Sequence, residues 1–381
     1  MKNLLYILSY VFLLACNQPK AASDSSSGQS GQSSFRKLSP SEKNYYINAL
    51  HRKYDTLLLK RGFNGAILIA KNGEVLLEDY HGYADMQTKD TIDTSTAFHI
   101  ASVSKTFTGM AVLKLWEENK LNLDDSLQVF FPQFPYHGIT VRMLLNHRSG
   151  LPNYVYTMAA DKDWRKKLAT NEDMLQFLTE KKPMWYGYPN RGFHYCNTNF
   201  ALLALIIEKV SGQPFPEYMT NTIFTPLGMK NTFVFSIKDT AKYHPSYQPN
   251  NAVFRLESID CIYGDKNVYS TPRDLFLWDK ALYTNQFVRK ETYEEATKPY
   301  SFEKPGTHNY GLGWRIMTMP DSNKIVYHNG WWHGNNACFT RFPHDTATII
   351  ILGNKFNRNI YAGTKFGSVF NKKTGEQIQE E

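Results

Sequence analysis

His99-Ile100-Ala101-Ser102-Val103-Ser104-Lys105-Thr106-Phe107-Thr108-Gly109 sets a serine and a lysine three residues apart, at the start of an apolar run through Leu113, Leu115 and Trp116. Residues three apart on a helix share a face, so the Lys105 amine can reach the Ser102 hydroxyl. A serine hydroxyl attacks a carbonyl only when a base takes its proton, and a lysine desolvated in a cleft can be that base. At a first helical turn, Ser102 also lies beside backbone N–H groups that lack intrahelical partners and can hold an oxyanion. The spacing alone says little, because Ser34 with Lys37 and Ser301 with Lys304 repeat it. Ser34 lies in a polar tract and Ser301 beside Pro305-Gly306, so neither has an apolar helix to bury its lysine.

Further along, Tyr195-Cys196-Asn197 stands directly before a run, 199–210, that is apolar nearly all round and reads as a buried helix. A tyrosine beside a lysine can shuttle protons to a leaving group, and an asparagine amide can bind a substrate carbonyl and orient the lysine. Tyr-x-Asn also occurs at Tyr46, Tyr188, Tyr283 and Tyr327, but only Tyr195 follows a Pro- and Gly-rich approach into a helix. His328-Asn329-Gly330-Trp331 comes at the end of a strand, where a glycine lets substrate lie along the edge and the Trp331 N–H can be a second oxyanion donor. Lys373-Thr374-Gly375 follows the last helical segment rather than preceding a strand, and reads as a decoy. Trp331 and Trp332 fit either a core or a cleft wall; Lys266 reads as a solvated loop lysine, with a place in the cleft wall as the other reading. Cys196 reads as a packing residue, since nothing nearby stabilises a thiolate. His328 and His333 lack carboxylate or cysteine partners at ligand spacing, so no metal site is expected.

Outward from these motifs, the 381 residues carry a formal charge of +8 from 43 basic and 35 acidic side chains, with no dense basic run. Such a balance implies solubility and mild attraction to anionic envelopes, not nucleic-acid binding. Strand-like segments at 65–70 and 75–80, joined by Lys71-Asn72-Gly73, follow an amphipathic helix that opens at Pro40 or Ser41 and bears Ile47, Leu50, Tyr54, Leu57 and Leu58 on one face. Strands return at 324–328, 337–342 and 346–352, and a helical stretch around 359–370 follows. The pattern predicts an α+β body with one sheet built from both chain ends, flanked by helices, and a mostly helical subdomain inserted between them.

At the N-terminus, Lys2 precedes an apolar run at 4–14 that is too short to span a membrane and ends in Leu13-Leu14-Ala15-Cys16. This resembles a bacterial lipoprotein signal. It implies cleavage of residues 1–15, a lipid on Cys16, and a periplasmic protein anchored to a membrane. An ordinary secretory signal with Cys16 incidental is the other reading. Residues 16–40 then read as a Ser-, Gly- and Gln-rich tether, 41–370 as the catalytic domain and 371–381 as a polar tail. Without Cys16, three cysteines remain and allow at most one disulfide.

Taken in order, Ser102/Lys105, Tyr195/Asn197 and His328/Gly330 resemble the serine β-lactamase and penicillin-binding protein superfamily, in its class C β-lactamase-like branch. Supporting segments are Leu144-Leu145-Asn146-His147-Arg148-Ser149-Gly150-Leu151-Pro152, Tyr269-Ser270-Thr271-Pro272-Arg273-Asp274-Leu275 and Tyr310-Gly311-Leu312-Gly313-Trp314. The resemblance implies a β-lactamase/transpeptidase-like fold with an antiparallel sheet, and an acyl-enzyme mechanism on a small-molecule or peptide substrate. Ser102 would be the nucleophile, with Lys105 and Tyr195 exchanging its proton. Asn197, His328, Gly330 and Trp331 would bind substrate or oxyanion, and no cofactor is required. Where the superfamily has the lysine of Lys-Thr-Gly, this chain has His328, and a neutral imidazole attracts a substrate carboxylate less. That moves the expectation toward an esterase or D-peptidase. A true β-lactamase or DD-carboxypeptidase, and a non-catalytic sensor or binding lipoprotein, are the alternatives.

Overall fold

The computed structural model describes residues 35–236, 238–239 and 243–370. Its first helix, α1 (Pro40–Leu57), begins at a capping box: the Ser39 hydroxyl accepts from the Glu42 N–H at 3.3 Å, and the Glu42 carboxylate accepts from the Ser39 N–H at 2.8 Å. Leu50 and Tyr54 are buried on its inner face. β1 (Gly65–Lys71) and β2 (Glu74–His81) form the expected hairpin, with Asn72 and Gly73 at φ 49° and 74°, as a two-residue turn requires. β3 (Tyr83–Asp85) pairs with β4 (Asp90–Thr91), and β5 (Phe98–His99) leads through a 3₁₀ turn, Ala101–Val103, into α2 (Ser104–Glu117).

The helical middle comprises α3 (Leu127–Phe130), α4 (Val141–Leu145), α5 (Tyr154–Ala160), α6 (Asn171–Lys181), α7 (Asn197–Ser211) and α8 (Phe215–Met219). β6 (Phe233–Val234) and β7 (Val268–Ser270) complete a small sheet with β5, followed by α9 (Pro272–Tyr283) and α10 (Lys290–Ala296). The chain closes with β8 (His308–Tyr310), β9 (Arg315–Thr318), β10 (Lys324–Trp332), β11 (Asn335–Phe342), β12 (Ala347–Gly353) and α11 (Gly363–Gly367).

The main sheet has seven antiparallel strands in the order β2-β1-β12-β11-β10-β9-β8. β1 pairs with β12 from Gly65↔Gly353 to Lys71↔Ala347, so the two ends of the chain meet in the sheet as the sequence predicts. Alternate residues face two cores. Ala66, Leu68, Phe339, Ile350 and Leu352 pack with α2 and α7, while Ile67, Ile69, Cys338, Ile349 and Ile351 pack with α1 and α11. A sheet covered on both faces explains why β1 and β12 read as continuous apolar runs.

Three details differ from the sequence reading. β10 continues to Trp332, past the expected end at 328. β8 and β9 have three and four residues, too short to show an alternation. Residues 35–39, taken as the end of the tether, lie against the body: Phe35 meets the Tyr283 ring edge-on at 6.1 Å, and the Leu38 N–H donates to Glu74 at 3.2 Å. Cys196, Cys261 and Cys338 are free thiols. The expected signal segment, Cys16 and the polar tail lie outside the described residues.

Candidate active site

Ala101 adopts φ 48°, and the tight turn it opens lifts Ser102 out between two buried neighbours. One turn on, Lys105 is 0% exposed, yet its amine is fully engaged. Nζ donates to Ser102 Oγ at 3.1 Å, to Asn197 Oδ1 at 2.8 Å and to the Asp265 carbonyl at 2.8 Å. It also lies 5.0 Å from the Tyr195 ring centre and 5.7 Å from that of Phe200. A buried amine needs such partners. They also hold it in one place, against the serine.

The segment 264–268 runs alongside the start of α2 and supplies that carbonyl. The Thr108 hydroxyl donates to the Gly264 carbonyl at 2.7 Å, and the Val268 N–H donates to Ser104 Oγ at 3.1 Å. A Cβ at Gly264, where φ is 95°, would strike the Phe200 carbonyl of α7, so only glycine lets the strap pass between the helices. The sequence reading missed the Asp265 carbonyl, since a backbone acceptor has no residue signature. It also misplaced Lys266, which is buried rather than solvated.

Tyr195 is positioned by His147. The imidazole packs 4.4 Å from the Tyr195 ring, 5.1 Å from Phe200 and 4.7 Å from Tyr310. Its Nδ1 accepts from the Cys196 N–H at 3.2 Å, and its carbonyl accepts from the His194 N–H at 2.8 Å. Burial, with Lys105, His328 and Arg315 nearby, pushes the His147 pKa well below the usual histidine value and keeps the ring neutral. The Leu144 to Pro152 motif is therefore a platform for the Tyr195 loop. Cys196 is buried at the mouth of α7 with its thiol pKa pushed up to about 11 by burial, which suits packing and not nucleophilic attack.

β10 forms the opposite wall. β9 stops at Arg315, opposite Tyr327, so β10 from His328 to Trp332 has a neighbour on the β11 side only. Gly330 lets the Ser102 turn approach directly: a Cβ there would overlap the Ile100 carbonyl and press on Ser102 N at 3.1 Å. Trp331, 62% exposed, and the half-buried Trp332 are cleft wall, not core. His328 is corrected in its placement: it lies beneath the wall, fully buried, and does not line the cleft. Its Nδ1–H donates to the Asn329 carbonyl at 2.7 Å, so Nε2 accepts from the Tyr310 hydroxyl at 3.1 Å. Burial, then Arg315 and Lys105, hold its pKa well below the usual value. His333 diverges from it, toward Asp260 at 3.0 Å.

The cleft holds about 740 Å³ and is lined by Ser102, Tyr195, Asn197 and Gly330, with an apolar side from Tyr156, Phe254, Ile259, Trp331 and Trp332. Arg315 also lines it, 5.1 Å from the Tyr195 ring centre, and no described carboxylate forms an ion pair with it. Arg315 faces a second cleft of about 640 Å³ as well, lined by Arg191, His194, Lys304 and His308; the carboxylate lining it, Glu303, is paired with Arg148. Sequence reasoning missed Arg315 because a strand of four residues gives no signal that its first side chain enters a site.

The beta-lactamase family profile matches residues 50–367. Penicillin-binding protein 4* of Bacillus subtilis (strain 168) is 35% identical over 322 residues, covering 80% of this chain and 71% of that protein. The octameric penicillin-binding protein homologue from Pyrococcus abyssi superposes with a TM-score of 0.74 at 26% identity, over 87% of this chain and 78% of that one. The D-amino acid amidase from Ochrobactrum anthropi SV3 complexed with L-phenylalanine amide has the same fold, with a TM-score of 0.69 at 24% identity, over 87% and 98%. With a serine, a buried lysine and a tyrosine gathered at one cleft, this chain belongs to the beta-lactamase family and is a serine hydrolase.

Proposed function

We propose that this hydrolase cleaves a peptide or related acyl compound whose departing half carries a carboxylate. Ser102 Oγ attacks the carbonyl carbon while Lys105 takes its proton. The N–H groups of Ser102 and Trp331 hold the oxyanion, and Tyr195 returns a proton to the leaving nitrogen or oxygen. Water then attacks the acyl-enzyme and frees Ser102. The observation that carries the acyl-transfer step is the contact of 3.1 Å between a fully buried amine and Ser102 Oγ at the floor of an open cleft. What supports the carboxylate is Arg315, a cation with no ion-pair partner among the described residues, between the cleft and a second, mostly basic one. It offers the charge that His328 lacks.

Labelling with a fluorophosphonate tests the first step: the wild type reacts once per chain, Ser102→Ala not at all, and Lys105→Ala roughly 10²- to 10⁴-fold more slowly. Undiminished labelling of Ser102→Ala would move the nucleophile elsewhere. For the carboxylate, N-acetyl-D-alanyl-D-alanine and its C-terminal amide form a matched pair. Arg315→Ala is expected to cut the kcat/KM ratio of acid to amide about tenfold, the size of one lost charge-assisted hydrogen bond. The D-amino acid amidase neighbour is in keeping with amide substrates. A β-lactam carboxylate would meet the same arginine, so nitrocefin turnover by the wild type decides that second reading.

The proposal extends to location: export and lipid attachment at Cys16, supported by the apolar run and Leu13-Leu14-Ala15-Cys16. Metabolic labelling with an alkynyl fatty acid in a bacterial host should mark the full chain and be lost in Cys16→Ala.

A further inference from the structure

Lys266 has no part in the acyl-transfer chemistry described above, yet it is buried to 2% exposure behind the wall of the site. Its Nζ donates to the Tyr154 hydroxyl and to the Ile262 carbonyl at 3.1 Å, and lies 3.7 Å from Asp265 Oδ2. The amine also sits 5.0 Å from the Tyr154 ring centre and 4.9 Å from that of Trp332. The Tyr154 hydroxyl in turn donates to Asp265 Oδ2 at 2.9 Å, while Asp265 Oδ1 is buried without a hydrogen-bond partner. Asp265 is the residue whose carbonyl receives the Lys105 amine. The same network reaches the cleft wall, where Trp332 Nε1 and His333 both bond Asp260.

We propose that Lys266 is a positioning residue for acylation: its ammonium, through Tyr154 and the Asp265 side chain, fixes the turn whose carbonyl holds Lys105 against Ser102. The inference rests on the reading of Lys105 as the base.

The groups facing Lys266 are Asp260, Cys261 and Asp265 from its own loop, Tyr154 from α5, Lys105 from α2, and His333 by way of Asp260 from the β10–β11 turn. Those around Lys105 are Ser102, Tyr195, His147, His328 and Arg315. Burial pushes the Lys266 pKa below the usual lysine value, Asp265 and Asp260 hold it up, and Lys105 pushes it down again.

The test is the rate of fluorophosphonate labelling at Ser102 against probe concentration, in the wild type and in Lys266→Met. We expect the maximal rate to fall about tenfold while the half-saturating probe concentration stays unchanged, because the Lys105 amine is no longer held against Ser102. Tyr154→Phe keeps the ring and removes only the hydroxyl that joins Lys266 to Asp265, so it should lower the maximal rate the same way but less far. An unchanged maximal rate in either folded variant overturns the proposal, as does a rise in the half-saturating concentration that accounts for the whole loss, which marks mere structural support. A wild type that takes no label at Ser102 overturns the acyl-transfer reading instead, and this inference with it.

Discussion

At Gly330 the absence of a side chain decides how closely the Ser102 turn can approach β10. A methyl group there meets the Ile100 carbonyl, which is backbone and cannot swing aside. Gly330→Ala is therefore expected to cost about 1–3 kcal/mol of stability and to slow Ser102 labelling, as read by denaturant unfolding and labelling kinetics. The sequence picked out Gly330 for substrate access, and the structure adds this second reason. His328 shows the opposite case. It is legible as a replacement for lysine, but its burial among Tyr310, Lys105 and Arg315 shows that a lysine would be out of place. His328→Lys would set an unpaired ammonium beside two cations. It should lower the melting temperature without raising nitrocefin turnover; a stable variant with faster turnover refutes this account.

Among the elements, those that were legible are long or carry a local signal. α1 declares its start at Pro40, where the structure adds the Ser39–Glu42 capping box, and α7 declares itself through its apolar run. Removing the α1 cap by Ser39→Ala should cost about 1 kcal/mol, or about 2 °C in melting temperature, with unchanged labelling at Ser102, since α1 packs on the sheet face away from the site. β8 and β9 were illegible because three or four residues hold no period. Yet the end of β9 at Arg315 is what opens the edge of β10 and delivers a cation to the cleft.

Across the whole molecule, burying the site creates a dependence on acid. His99, His147 and His328 are all buried; burial pushes the His99 pKa to about 4 and the other two well below the usual value. On unfolding each would take up a proton below about pH 6.5. Their contribution to stability is therefore complete above about pH 6.5 and is lost as pH falls toward the folded values, at about 1.4 kcal/mol per unit for each ring. The urea midpoint should drop between pH 7 and pH 5. His99→Asn should flatten that slope, and equal slopes would count against the buried neutral state.

The sequence by itself determined the local and the ordered: helix starts, the Asn72-Gly73 hairpin, a sheet drawn from both chain ends, and three motifs in a set order that identified the family. These are signals between neighbours in the chain, or patterns of apolar spacing that bear on burial. Tertiary structure alone decided which groups meet across long separations. It brought the Asp265 carbonyl to Lys105, His147 beneath Tyr195, Arg315 to the cleft and Lys266 into the interior. Backbone acceptors carry no residue signature, and whether a charged side chain is buried or solvated depends on what packs over it, which no local pattern records.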